Sequence, residues 1–227
     1  MPVSTSVFRD AVGGPYPDTL EGFRRWVNAH AGEGRNPVTY WRGGTYVEMP
    51  SERAHAHSDL KTTVNAAVHR FAREQDLGQC HGDGMWYTDE AADLSNEPDG
   101  SLILWESLET GRVRLIESED GDGVEYRGGP DWALEVVSGT SLLKDTEWLP
   151  RAYFLAGVRE YWWIDARGAD PMFAVLVRGA RAFECPIPPA QPGPRFSPLL
   201  GADIELTRTR NRVGRWTYHF DVRTETT

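Results

Sequence analysis

Apolar and polar positions along the chain repeat with two different periods. Leu20, Phe23, Trp26 and Val27 fall at helical spacing behind Asp18-Thr-Leu-Glu21, which offers an acceptor side chain for an N-cap and a glutamate three residues later. That pattern predicts a short helix over 20–29. A longer apolar stripe of Leu60, Val64, Ala67, Val68 and Phe71, with Ser58 or Asp59 as cap, predicts a helix over 58–75. Between the two, Arg42-Gly43-Gly44 separates the strand-like runs 38–41 and 45–48 in a hairpin pattern. Strands are predicted at 85–88, 101–105, 112–116, 124–127, 131–138 and 160–165, and the acidic stretch 117–123 forms a solvated hairpin tip. A helix interrupted by Pro150, starting near that proline and ending by 157, crosses over from 131–138 to 160–165. A late hairpin at 173–178 and 182–185, a proline-rich loop at 186–194, and strands at 204–207 and 216–222 complete the chain. The expected organisation is an amino-terminal tail over 1–19, one mixed α/β domain over 20–207 with a central sheet between the two longer-range helices, and a carboxy-terminal extension over 208–227.

Composition bounds this picture. A chain of 227 residues with 40% hydrophobic content and nine tryptophans can fill one core. Its apolar runs fall far short of the roughly 18 to 20 residues that span a bilayer, and its start lacks a charged region followed by an apolar run, so a cytoplasmic protein is expected. Cys80 and Cys185 are too far apart, and too few, for a disulfide framework or a structural zinc site. The formal net charge of −10 argues against a protein that holds nucleic acid by bulk electrostatics. Within the basic residues lies a sharper signal, because 22 of the 24 are arginine and only Lys61 and Lys144 are lysine.

The period of two in Asp131-Trp-Ala-Leu-Glu-Val-Val137 places Asp131 and Glu135 on one face of a buried-looking strand. Carboxylates there call for a partner, and a divalent cation with oxygen ligands is one. The other reading makes Asp131 a turn residue and Glu135 a solvated position on an edge strand. Pro98-Asp99-Gly100 by itself reads as a turn. His55-Ala-His57-Ser-Asp59 reads as a surface histidine pair with a cap, Cys80-His81 lacks further zinc ligands, and Trp162-Trp163 reads as core and sheet cover. Arg208, Arg210, Arg212 and Arg215 form the one basic patch, a solvated hairpin or, if paired across strands, a track for phosphates.

Pro130-Asp-Trp-Ala-Leu-Glu-Val-Val-Ser138, followed by Asp145, Tyr153 and Ala156-Gly-Val-Arg-Glu-Tyr-Trp-Trp-Ile-Asp165, resembles the signature of the Uma-two family, which is assigned to the restriction-endonuclease-like fold of the PD-(D/E)XK superfamily. Gly44-Thr-Tyr-Val-Glu-Met49 with His57, Pro98-Asp99, and Ser197-Pro-Leu-Leu-Gly201 are similar to its other segments in order. The resemblance implies a metal-dependent phosphodiesterase site in which Asp99 and Glu135 grip Mg²⁺ or Mn²⁺, with Asp131 as a third ligand or an orienting group. Whether Asp99 or Asp131 is the principal ligand stays open. The chain departs from the family at the lysine, since Val137 and Leu149 occupy the two positions where relatives carry it; Lys144 or Arg151 would have to substitute. His57 is implied as a phosphate contact or proton carrier in the wall of the site. The function implied is a Mg²⁺-dependent endonuclease on DNA, with a homodimer as the implied assembly. Two alternatives accompany it: a catalytically degenerate module that binds nucleic acid or protein, and a phosphodiesterase on a smaller substrate.

Overall fold

All five positions of the strand Trp132–Val136 are buried, so both of its faces need cover, and the fold supplies it from two helices. The structure, a computed structural model, describes residues 16–30, 38–47, 54–117 and 123–224. Most of the predicted tail, the acidic tip at 118–122, the segment 48–50 and the side chain of His55 lie outside the described residues.

The elements run α1 (Leu20–Ala29), β1 (Val38–Trp41), β2 (Gly44–Val47), α2 (Ala54–Glu74), β3 (Gly78–His81), β4 (Trp86–Asp89), β5 (Leu94–Asn96), β6 (Gly100–Leu104) and α3 (Trp105–Glu109). They continue with β7 (Arg114–Glu117), β8 (Gly123–Arg127), β9 (Trp132–Val136), α4 (Leu149–Leu155), β10 (Glu160–Asp165), β11 (Met172–Arg178), β12 (Phe183–Glu184), β13 (Arg195–Ser197), β14 (Ala202–Arg210) and β15 (Trp216–Arg223). The central sheet has the order β12-β11-β10-β9-β6-β3. In it β9 pairs parallel to β10 across the α4 crossover and antiparallel to β6. Trp132, Leu134 and Val136 pack against Leu60, Val64 and Val68 of α2. The alternate residue Ala133 packs against Leu149, Ala152 and Tyr153 of α4. The predicted α/β domain, with one helix on each face of a mixed sheet, is therefore present.

Three features depart from the sequence reading. Two further sheets, β2-β1-β5-β4-β8-β7 and β13-β14-β15, stand beside the central one. The boundary expected at 207/208 falls inside β14, and β15 contributes Tyr218 and Phe220 to the main core, so the last strands are part of the domain and no separate extension. The helix before β10 also begins earlier than Pro150. Residues 142–143 are already helical, and Lys144–Trp148 forms a π-turn in which the Leu149 amide bonds to the Lys144 carbonyl. This wider turn accommodates a proline that would otherwise clash with the preceding turn. It also releases the Asp145 carbonyl, which accepts from the Tyr161 hydroxyl at 2.8 Å. Among the described residues no helix is long and apolar enough to cross a membrane.

Candidate active site

Glu135 lies near the carboxyl end of β9, the end of a parallel strand pair at which α/β proteins tend to place their ligands. Its side chain is only 2% exposed. Oε1 accepts from Asn96 Nδ2 at 3.0 Å and from the Tyr153 hydroxyl at 2.9 Å, while Oε2 faces the Lys144 ammonium at 3.2 Å. Asn96 ends β5, so this contact ties the second sheet to the central one, and the Thr39 hydroxyl in turn donates to Oδ1 of the Asn96 side chain. Burial, reinforced by the Glu135 charge, pushes the Tyr153 phenol well above its ordinary value despite Lys144 nearby. The phenol therefore stays protonated and acts on Glu135 as a donor.

The π-turn decides what Lys144 can reach. By inserting one extra residue into a helical turn it turns both Lys144 and Asp145 inward, leaving them 4% and 0% exposed. Lys144 then sits between two carboxylates, Glu135 and Asp145, each at 3.2 Å, and over the ring of Tyr46. Ser141 donates to the other oxygen of Asp145. Of the two cations proposed to replace the missing lysine, Lys144 is at Glu135. Arg151 is exposed on α4 and, among the described residues, makes no ion pair with Glu135 or Asp99. Leu149 is buried in the apolar layer with Tyr153, one turn away from it on the same helix face.

Asp99 precedes β6, in line with Glu135 across the β6–β9 pair. Its Oδ2 accepts the Val136 amide at 2.7 Å and its Oδ1 pairs with Lys61 at 2.7 Å. Lys61 also reaches Asp83 at 2.7 Å. Burial alone would lower the Lys61 pKa, but the Asp99 charge and the hydrogen bonds to Asp83 and Asp99 raise it above the ordinary lysine value. His57, one helical turn before Lys61, places Nε2 at 2.6 Å from the Val136 carbonyl and 3.8 Å from Asp99 Oδ2. A carbonyl only accepts, so Nε2 carries the hydrogen and Nδ1 is left as the second ring position. One turn further, Asn65 donates to the Asp99 carbonyl at 2.8 Å, and a Cβ at Gly100 would collide with the Asn65 amide. Pro98-Asp99-Gly100 is thus the lead-in to a strand, and its glycine serves a close approach.

The structure separates Asp131 from this group. It is wholly buried, with Oδ1 held by Ser107 at 3.0 Å, Arg112 at 2.7 Å and Arg159 at 2.9 Å, and Oδ2 by the Leu104 amide at 2.8 Å. Four residues at the strand rise put it about 13 Å from Glu135 along β9, too far to share an ion. The expectation of Asp131 as a metal ligand is corrected: the period of two gave the right face, but a face is longer than a site. Asp131→Asn is expected to cost about 3 kcal/mol in denaturant unfolding by weakening the bonds to two guanidinium groups. A variant of unchanged stability but weakened magnesium binding would restore Asp131 to the site.

Lys61, Asn65, Asn96 and Asp83 were not anticipated as neighbours of the two carboxylates. A signal existed for the first two: His57, Lys61 and Asn65 are spaced by four along α2. Asn96 and Asp83 come from segments that only tertiary pairing brings near. No group of three or more His, Cys, Asp or Glu side chains among the described residues stands together so as to hold a metal unaided.

Residues 20–183 match a family model named Uma2 and described as "Putative restriction endonuclease". No curated protein matches. Among solved structures, the chain is similar to the crystal structure of a "putative nuclease belonging to DUF820" from Anabaena variabilis ATCC 29413, with a TM-score of 0.58 and 20% identity over 81% of this chain and 91% of that one. At that identity the likeness establishes the fold alone. With the family model spanning well over half of the sequence, including both carboxylates, their lysines and His57, this chain belongs to the Uma2 family.

Proposed function

We propose that the protein is a magnesium-dependent endonuclease that hydrolyses phosphodiester bonds of DNA, with Asp99 and Glu135 as the metal-holding carboxylates. The observation that carries this reading is the 3.2 Å contact between Lys144 and Glu135. It gives the strand-end carboxylate an ammonium partner even though leucine fills position 149.

The donor set fits a hard divalent cation. Asp99 and Glu135 offer carboxylate oxygens from facing strand ends, and magnesium needs only one or two carboxylates because it retains water and takes oxygens from a substrate phosphate. Around them, among the described residues, the carboxylates Asp99, Glu135 and Asp145 outnumber the ammonium groups Lys61 and Lys144, a local excess of negative charge that favours a cation. When bound, such an ion supplies a Lewis acid for a phosphoryl oxygen and lowers the pKa of a water. The chain's own residues do the positioning. Asn96 and Tyr153 fix Oε1 of Glu135, the Val136 amide and Lys61 fix Asp99, and Lys144 provides a point charge for the negative charge that develops on a phosphoryl group. His57 holds the backbone of Val136 and offers its second nitrogen to a phosphate or a proton.

Calorimetric titration of the wild-type chain with Mg²⁺ is expected to release or absorb heat at one site, and plasmid nicking should require Mg²⁺ or Mn²⁺ and stop on chelation. Nicking that persists in chelator would overturn the metal-dependent reading. A non-cutting module has one observation in its favour, the 2% exposure of a Glu135 whose two oxygens are both engaged. It predicts no heat of magnesium binding and no nicking.

A further inference from the structure

Residues 206–220 contain Arg208, Arg210, Arg212 and Arg215 and not one Asp or Glu, in a chain whose net charge is −10. The structure gathers these arginines on one two-stranded ribbon, because β14 and β15 pair without interruption from Asp203↔Arg223 to Arg210↔Trp216. The root of the ribbon is fixed in the core through Ile204, Tyr218 and Phe220. Above the root, the guanidinium groups of Arg208 and Arg210 lie over the Trp216 ring at 4.0 and 3.7 Å.

The tip is built rather than loose. Asn211 Oδ1 accepts the amides of Val213 at 3.1 Å and Arg215 at 2.9 Å, and Gly214 supplies a φ of +75° that a residue with a side chain adopts only under strain. Arg210 closes the turn by donating to the Gly214 carbonyl at 2.7 Å. Arg212 and Arg215 are left exposed on this rigid turn with no ion pair to a carboxylate among the described residues, around a Val213 that is 76% exposed.

The ribbon also rises from the end of the central sheet that carries the candidate site. Arg208 donates to the carbonyls of Gly168 and Ala169 in the turn that follows β10. β10 is parallel to β9 with Ile164 opposite Val136, so this turn lies at the Glu135 end of the sheet. Arg167 in the same turn bonds to the Ser138 carbonyl just beyond β9 at 3.0 Å.

We infer that the β14–β15 tip is a phosphate-gripping arm that holds a DNA duplex beside the Asp99–Glu135 site, through Arg212 and Arg215 and with the Arg208–Trp216–Arg210 stack as its rigid stem. The inference rests on the endonuclease reading for its choice of polyanion. Guanidinium forks match phosphate geometry, and a two-stranded ribbon has the width to lie in or across a major groove. The overall acidity is no obstacle, because salt screens charges beyond about 8 Å at physiological strength and the field at the tip is set by its own arginines.

The test is the salt dependence of binding to a short DNA duplex in chelator, where no hydrolysis intervenes, followed by fluorescence anisotropy. Two lost phosphate contacts should make the slope of log affinity against log salt shallower by about 2 in Arg212→Gln/Arg215→Gln. Arg25→Gln/Arg181→Gln changes the charge equally at exposed positions away from the ribbon, and its slope should equal that of wild type. An arm variant that keeps the wild-type slope while magnesium-supported nicking is present overturns the arm alone. A shallower slope in a protein that never nicks overturns the hydrolase reading and leaves the arm standing. Absence of duplex binding, or a preference for poly-L-glutamate over duplex, overturns the arm and the choice of DNA together.

Discussion

Glu135→Ala is expected to abolish magnesium-supported nicking and, at the same time, to destabilise the fold by about 3–5 kcal/mol, the range for removing one partner of a buried charged pair. Both effects have one cause. Glu135 receives donors from β5, α4 and the π-turn, so truncation deprives Lys144 of one of its carboxylates, the Tyr153 hydroxyl of its acceptor, and the Asn96 amide of one of its two acceptors. Glu135→Gln separates the two effects. Its carbonyl oxygen can still receive Asn96 and Tyr153, while its amide group meets Lys144 as donor against donor. Nicking should again be lost, with a smaller loss of stability than in alanine. Plasmid nicking and urea unfolding on the same preparations provide the readout, and activity that survives in either variant would remove Glu135 from the reaction.

Lys144→Met is expected to reduce nicking by a factor of about 10² to 10³, the usual effect of removing one donor that stabilises developing charge. Methionine retains much of the buried stem volume, so the change is principally one of charge. Glu135 and Asp145 would then face one another across the site without that ammonium, and stability should fall as well. The informative variant is the double replacement Lys144→Met/Leu149→Lys. Leu149 and Tyr153 are one helical turn apart in the same buried layer, and Tyr153 reaches Glu135, so a lysine at 149 is directed toward the same carboxylate. It is expected to restore part of the activity lost in the single variant. No recovery in a double variant that folds, judged by near-ultraviolet circular dichroism, would mean that Lys144 serves structure alone.

Both outcomes turn on a π-turn of five residues. In a regular helix consecutive side chains diverge by about 100°, and the extra residue of the π-turn changes the directions in which Lys144 and Asp145 project. Pro150 favours the irregularity by removing an amide from the helical ladder. From sequence, that same proline indicated a late helix start.

How much was legible in advance differs between the two carboxylates. Glu135 was marked by alternation along β9, since a charged residue among five buried positions is out of place without a partner. Asp99 was marked only by family resemblance, because Pro-Asp-Gly is also an ordinary turn. Lys61 was singled out by rarity, as one of two lysines among 24 basic residues, but its partner was not. Its contacts with Asp99 and Asp83 require α2 to lie over the start of β6.

By itself the sequence determined what is periodic or local: the helices α1 and α2, the crossover from β9 to β10, the two faces of β9, and the chemistry available on each. Periodicity reports the side on which a residue lies, because the pleat and the helical turn are properties of the backbone. The tertiary structure alone decided distance along that side and contact across it. It put Asp131 among arginines at one end of β9 and Glu135 among donors at the other, formed β3 and β5 from segments of weak strand propensity by pairing them with neighbours, and joined 202–210 to 216–223 into a ribbon that concentrates four arginines. Those outcomes depend on long-range pairing and packing, which no local pattern encodes.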